Sequence, residues 1–264
     1  MGKFTHYLIT RFNVPVEAWR LDKAGQHTLD DTWLNHRVEL FERFCLPSVR
    51  QQTQQHFQWI LYFDPHTPPV FRKKIESAVE FMPNTSLRFV ADMNALLADL
   101  GSLIHLSPSP YVMTTRLDND DAIGRTFIQT LQDHFEEKSN LILNLVGGLY
   151  YEVNQNVLTK MKAETCNPHL TLIEQIVPNQ KPMTVLAFSH TAIPEEMTIR
   201  HLREPGHWLK IIHSRNIKSR LKGKPVFRIT TSITEEWGNI PFPLSKWNTV
   251  QYLFQRTWKI ATSI

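Results

Sequence analysis

Tyr111-Val112-Met113-Thr114-Thr115-Arg116-Leu117-Asp118-Asn119-Asp120-Asp121 is a β-favouring apolar stretch that runs directly into three carboxylates. Its first part has the composition of a short strand, and that strand stops at Asp118. Three carboxylates within four residues repel one another, so a fold does not gather them at a strand end without compensation. A divalent cation, Mg²⁺ or Mn²⁺, is the compensation the pattern predicts, because such ions prefer hard oxygen ligands. Mg²⁺ sites draw one or two carboxylates from the protein and let substrate phosphates complete the shell. Position matters as much, since open α/β sheets bind ligands outside the carboxyl ends of their strands. The bland alternative is an acidic surface turn that caps the next helix; the placement at a strand end favours the metal.

Working outward, the upstream chain alternates strands with helix-like periodicity. Residues 4–12 suit a first strand. Asp30-Asp31-Thr32 offers helix N-cap chemistry, and Leu34, Val38, Phe41, Cys45 and Val49 recur at helical spacing, with Pro47 expected to kink or split the helix. Residues 57–63, FQWILYF, are nearly continuous apolar chain, as in a strand covered on both faces. Thr67-Pro68-Pro69 suits a helix start, followed by the stripe Val70, Phe71, Ile75, Ala78 and Met82. Residues 87–90 form another strand, and a helix is expected over about 124–135. This βαβαβ order predicts an α/β fold with a mostly parallel sheet flanked by helices. Beyond residue 140 shorter strands are expected at 141–146, 149–153, 157–161 and 184–188, the second and third joined by a hairpin at Asn154-Gln155-Asn156. Trp247, Val250, Phe254 and Trp258 fall on one helical face, which favours a terminal helix packed on the core over a membrane anchor. No repeat or linker interrupts the chain, so one domain spans 1–264.

Composition sets limits. At 264 residues, 42% hydrophobic and 20% charged, the chain reads as globular. No apolar run reaches the ~18–20 residues that span a bilayer, and the first residues lack a secretory signal. Cys45 and Cys166 match no metal or redox spacing and are too few for a disulfide framework, so a reducing, cytoplasmic setting is expected. Between Arg200 and Arg228, nine Lys or Arg face one acid, Glu204, a local charge of +8 in a chain of net +4. Such a segment attracts phosphates, anionic lipids or nucleic acid, or is simply a solvated face.

Other candidates follow from position. Asp64 ends the second strand on the same expected edge as Asp118 and suits a base or ribose; a plain turn before Pro65 is its alternative. Thr10, Arg11 and Asn13 end the first strand there too, with Arg11 facing a phosphate or a neighbouring acid. His213 follows an apolar run inside the basic segment, where a neutral imidazole completes a metal shell or bonds a phosphate; His207 is a weaker candidate. Lys218 and Arg220 suit a diphosphate. A calcium EF-hand is excluded, because Ala122 and Ile123 stand where it needs an oxygen ligand and a glycine. An Asp-x-Asp phosphotransferase nucleophile is disfavoured, because the turn follows a late strand rather than the first.

HYLITRFNV, WLNHRVELFERFCLPSVRQQT, FQWILYFD, YVMTTRLDNDDAIG and WLKIIHSRN, spread over residues 6–220, together resemble a bacterial rhamnosyltransferase family of the GT-A, family 2-like glycosyltransferases. The Arg-Leu-Asp-Asn-Asp-Asp run is the most specific part. The resemblance implies a nucleotide-diphospho-sugar transferase fold, with a nucleotide-binding half at 1–121 and an acceptor half with C-terminal helices at 122–264. It implies Asp64 near the base, Asp118 and Asp120 as the metal-binding pair and His213 as a further metal or phosphate ligand; Thr10, Arg11, Arg116 and Lys218 are expected around the donor from their positions. The implied reaction moves a sugar from a dTDP- or UDP-sugar to a saccharide or glycolipid hydroxyl; the basic segment suits peripheral contact with a membrane surface, and no role for nucleic acid is expected. The metal neutralises the diphosphate leaving group. A carboxylate must deprotonate the acceptor if the sugar inverts; Asp121, Glu195 and Glu196 are the candidates, with Glu174 a rival. The competing class is a phosphate- or nucleic-acid-binding module that stacks bases on Trp208, Phe227 and Trp237. A third is a domain that binds a partner through the terminal Trp stripe.

Overall fold

The computed structural model describes residues 2–19, 21–22, 25, 27–161, 167–203, 208–216, 219–238, 240 and 242–261, with side chains to 255. Cys166, His207 and Lys218, named above, lie outside the described residues. In chain order the elements are β1 (Phe4–Arg11), α1 (Asp31–Leu40), α2 (Leu46–Arg50), β2 (Gln58–Phe63), α3 (Pro69–Val79), β3 (Thr85–Phe89), α4 (Met93–His105), β4 (Tyr111–Arg116), β5 (Ala122–Ile123) and α5 (Phe127–Asp133). There follow β6 (Leu141–Leu145), β7 (Leu149–Glu152), β8 (Val157–Lys160), β9 (Thr171–Gln175), β10 (Thr198–Leu202), β11 (Trp208–Ile212), β12 (Lys224–Pro225), α6 (Thr231–Trp237) and α7 (Lys246–Ala261).

Seven strands form the main sheet in the order β10-β6-β9-β4-β1-β2-β3. All run parallel except β9, which is antiparallel to both β4 and β6. The sheet is therefore the mostly parallel, mixed sheet flanked by helices that the sequence predicts. β1 sits between β2 and β4, with Ile9 level with both Ile60 and Arg116. The carboxyl ends of these three strands thus form one edge.

Burial explains why the centre of β1 and nearly all of β2 are apolar. Leu8, Trp59 and Leu61 pack under α1 and α5 with Val38, Phe41 and Phe127. Their neighbours Tyr7, Ile9, Ile60 and Tyr62 pack on the other face with Leu96, Leu100 and Ile104 of α4. A strand covered on both sides shows no alternation. Helix α1 opens on Asp30, whose side chain accepts the Trp33 amide. Between α1 and α2 a π-type turn covers Phe41–Cys45, where the Leu46 amide reaches back to the Phe41 carbonyl. That widened turn makes room for Pro47 at the start of α2, so the helix is split but continues in line. In α3, Ile75 is buried while Val70 is 66% exposed, so the expected stripe is narrower by one residue.

A second sheet, β12-β8-β7-β11-β5, leans on the first. The β7–β8 hairpin turns at Asn156, whose positive φ of 55° suits a short polar side chain. Two expectations fail. Residues 184–188 form turns rather than a strand, because the Val185 amide donates to Thr114 Oγ1 (3.0 Å) and the Ala187 amide to the Thr184 carbonyl (2.9 Å). The expected helix at 124–135 shortens to α5, because Ala122–Ile123 pairs with β11 first. The terminal stripe is a third correction: Trp247 is 70% and Phe254 69% exposed and Val250 is half-buried, so these side chains do not pack in the core, while the Trp258 side chain lies outside the described ones.

Candidate functional site

The turn 118–121 leaves β4 at the shared carboxyl edge, and the Leu117 amide bonds the Ile9 carbonyl at 2.9 Å to fix its departure. Its three carboxylates have three separate fates.

Asp121 is fully buried. One oxygen accepts the Ile211 amide at 2.8 Å and the other the Lys210 ammonium at 3.0 Å. Both donors belong to β11, which also pairs with β5 immediately after the turn. Asp121 therefore fastens the acidic turn to the strand that carries Lys210 and leads to His213. Trp208 begins that strand, and its indole donates to the Leu145 carbonyl at 2.9 Å. The ring lies so close to Gly148 that a Cβ there would stand 2.2 Å from it, so this crossing requires glycine.

Asp120 is also buried, and its Oδ2 is the meeting point of three donors. His213 Nε2 lies 2.8 Å away, Asn216 Nδ2 lies 3.5 Å away, and the Arg37 guanidinium forms an ion pair. Arg37 also donates to Asn119 Oδ1 at 3.2 Å, while Asn119 donates to the Phe12 carbonyl at 2.8 Å, tying the turn to the end of β1. Burial by itself pushes the Asp120 carboxyl up; Arg37 and His213 override that and hold it well below the ordinary range. Burial lowers the His213 imidazole, and Asp120 only partly offsets it. His213 Nδ1 in turn lies 3.2 Å from His36 Nε2, which is half-buried.

Asp118 differs. Its side chain is 35% exposed, against 7% for Asp120 and none for Asp121. Of the three, it is the carboxylate that a ligand can reach. Burial again opposes ionisation, and Lys210, Arg116 and Arg11 together hold its pKa low. Lys210 Nζ lies 3.8 Å from its Oδ2. Burial also works against the Lys210 ammonium, but Asp121, Asp118 and Asp120 outweigh it and keep it charged above the usual lysine range. Arg116 is 8% exposed; its Nε donates to the Pro168 carbonyl at 2.7 Å, and Nη2 has no hydrogen-bond partner among the described residues. Arg11 lies 4.4 Å over the Trp19 ring. His190, which the sequence did not single out, stands in the same field: burial first, then Arg116, lowers its pKa to about 4. It is neutral at pH 7. Beneath lies His169, fully buried, 3.4 Å from Asp121 Oδ2 but without hydrogen-bond geometry.

The structure separates the other expected residues. Thr10 is buried with its hydroxyl accepting the Trp59 indole N–H at 3.0 Å, so it braces the sheet and does not face a donor. Asp64 stands at the expected edge, but one carboxylate oxygen accepts the His66 amide at 2.7 Å in a local turn, and Asn13 holds its own amide. Glu195 and Glu196 are exposed and precede β10. Thr198 is level with Leu141, which pairs with Ile173 opposite Met113, so the two glutamates lie toward the amino end of β4. Asp118 lies beyond the other end. This removes them from the cleft, and Glu174, level with Val112, is removed on the same ground.

The expected metal set is brought together in part. Two donors about 2.1 Å from one octahedral ion, at a right angle, stand about 3 Å apart. Asp120 Oδ2 and His213 Nε2, at 2.8 Å, have that spacing. Asp118 is instead turned to the cations, and no group of three or more His, Cys, Asp or Glu among the described residues is arranged to hold an ion. The expected set is therefore matched only in the Asp120–His213 spacing, and there the same carboxylate oxygen already meets Arg37 and Asn216.

One partly exposed carboxylate, beside the buried Arg116 and the half-buried Arg11 and Lys210, thus stands at the carboxyl edge of the central strands, where α/β sheets bind ligands. The chain belongs to the glycosyltransferase family described as "Putative rhamnosyl transferase", whose model matches residues 5–225. No curated protein matches it. Among solved structures, S. aureus TarS is similar at 11% identity and TM-score 0.44, over 79% of this chain and 37% of that one. TarS 1-349 in complex with UDP is similar at 11% identity and TM-score 0.43, over 79% and 60%. Mouse xyloside xylosyltransferase 1 gives 15% identity and TM-score 0.28, over 54% and 52%. The chain thus spans 37% and 60% of these two TarS chains, less than two thirds of either.

Proposed function

We propose that this protein transfers a sugar, rhamnose by its family, from a nucleotide-diphosphate donor to an acceptor hydroxyl. The observation that carries the reading is Asp118: ionised, reachable, and flanked by Lys210, Arg116 and Arg11 at the strand edge where α/β proteins hold nucleotides. The three cations neutralise a diphosphate as negative charge builds on it during departure of the sugar. Asp118 accepts hydrogen bonds from ribose or sugar hydroxyls, and its charge keeps Lys210 correctly placed. His190, neutral, offers one donor and one acceptor to the same ligand. A divalent cation held by Asp120 and His213 would supply further charge neutralisation at the leaving diphosphate.

Of the proposed bases, Asp121 has both oxygens engaged and no solvent access, and the glutamates lie across the sheet. The nucleic-acid reading loses two of its three stacking platforms, because Trp208 and Trp237 are 3% and 1% exposed and cannot stack on bases, whereas Phe227 is 45% exposed.

The test is thermal melting with UDP and with dTDP, each with and without Mn²⁺, followed by a screen of dTDP- and UDP-sugars for nucleotide diphosphate release. Stabilisation by one nucleotide, lost in Asp118→Asn, supports the reading. Salt-sensitive oligonucleotide binding with no response to either nucleotide would overturn it.

A further inference from the structure

Helix α7 packs on the second sheet through its polar side. Thr249 is 1% exposed, with its amide and hydroxyl both on the Ser245 carbonyl at 3.0 and 2.7 Å. Asn248 donates to the Gln155 carbonyl at 2.8 Å, and the Tyr252 hydroxyl to the Gly223 carbonyl at 3.3 Å. Residues 245, 249 and 252 therefore face the protein. At about 100° per residue, positions 247, 250 and 254 fall on the opposite side. The exposures agree: Trp247 is 70% and Phe254 69% exposed. Phe227, two residues beyond β12, is 45% exposed. Aromatic side chains gathered on one outward helical face mark an interaction surface.

The segment that α7 packs on is strongly basic. Gly223, which holds Tyr252, lies between Lys222 and Lys224, and both lysines, with Arg220 and Arg228, are exposed. From residue 205 onward the sequence has ten Lys or Arg and two acids, Glu235 and Glu236. That portion carries +8, and the remainder of the chain −4.

We propose that α7 and the β12 edge dock on an anionic lipid surface. Trp247 and Phe254 enter the headgroup layer, and Lys222, Lys224 and Arg220 meet lipid phosphates. Such a pairing of aromatic stripe and cations is how an amphipathic helix lies in a membrane interface. The helix lies on the surface and does not cross it, since no described helix is long and apolar enough to span a bilayer. A second copy of this chain fits the face poorly. A two-fold contact sets the same patch against itself and would bring the two basic regions together.

The experiment is flotation of the whole protein with phosphatidylcholine vesicles and with vesicles containing roughly one-third phosphatidylglycerol. Binding to the second kind alone, weakened by salt, is the expected result. Trp247→Ser with Phe254→Ser should lower it about tenfold or more, and Lys222→Gln with Lys224→Gln should lower it several-fold. All four positions are exposed, so melting temperature and nucleotide binding should stay unchanged, which keeps this test separate from that of the cleft. Equal binding to both vesicles, or no binding to either, would overturn the proposal. So would a dimer in sedimentation that Trp247→Ser dissociates.

Discussion

The turn at residues 118–121 and the outer face of α7 invert the usual distribution of side chains in opposite senses. In the turn, two of three carboxylates are buried, and each meets a cation or a backbone amide. On α7, aromatic rings that a core would accept are exposed. Burying charge and exposing aromatic surface both cost free energy, so each is a place where stability alone does not explain the residue. The two differ in what supports them. The turn is held by partners within the chain, whereas the partner proposed for the α7 face is a lipid surface. Substitutions should therefore strike the turn through folding or chemistry and α7 through association.

The sharpest break in that comparison is Asp121→Ala. It strands the Lys210 ammonium and the Ile211 amide in a buried place and should cost about 3–5 kcal/mol in urea unfolding. Asp118→Asn, three residues away, should leave stability within about 1 kcal/mol and lower nucleotide diphosphate release about 10²–10³-fold. If the two variants lose stability equally, the separation of roles within the turn is wrong.

Arg37→Met sharpens the account of Asp120. With the guanidinium gone, Asp120 and His213 lose their competitor, and Mn²⁺ should bind the nucleotide-free protein several-fold more tightly by paramagnetic resonance. Loss of an ion-paired partner should still cost about 3 kcal/mol without metal. Unchanged Mn²⁺ affinity would place the ion elsewhere.

How far this was legible in the sequence follows from the same physics. Strands buried on both faces announce themselves as apolar runs, so β1, β2 and β4 were readable, as was the edge that Asp118 and Asp64 share. The later strands β9 and β10 are five residues each, and β10, Thr-Ile-Arg-His-Leu, is an edge strand with two polar outward positions. Neither has a period to read. Helix α4 was missed although Asp92 caps it, accepting the Ala95 amide at 2.8 Å. Arg37 had a visible signal: it falls on the inward stripe of α1 between Leu34 and Val38, where a charge needs a buried partner. Lys210, the one charge inside Trp-Leu-Lys-Ile-Ile, had the same signal. No local pattern predicts which of three adjacent aspartates reaches solvent, because the choice is made by β11, ninety residues further along the chain.

Acid should act on the polar networks and leave α7 alone. His6 and His190, held neutral by burial with pKa values of about 3 and about 4, take up a proton on unfolding at any pH between those values and about 6.5. The unfolded state then binds more protons, so stability rises with pH across that interval, by at most about 1.4 kcal/mol per unit for each histidine. Asp118 and Asp120 are depressed in the fold. Their contribution is intact above the unfolded carboxyl pKa of about 4 and is lost as pH falls through the folded values. Urea titrations between pH 4 and 7 measure the first slope, and His6→Gln should reduce it.

The smallest expected effect is also the cleanest test of the contrast. Trp237 and Trp247 lie ten residues apart, one 1% and the other 70% exposed. Trp237→Ala empties a buried site beside Phe242 and should cost about 3–5 kcal/mol. Trp247→Ala removes a ring that the fold does not cover and should change stability by no more than about 0.5 kcal/mol. A cost near that of Trp237 would mean that Trp247 packs against this chain after all, and α7 would then be a structural helix with no surface to offer.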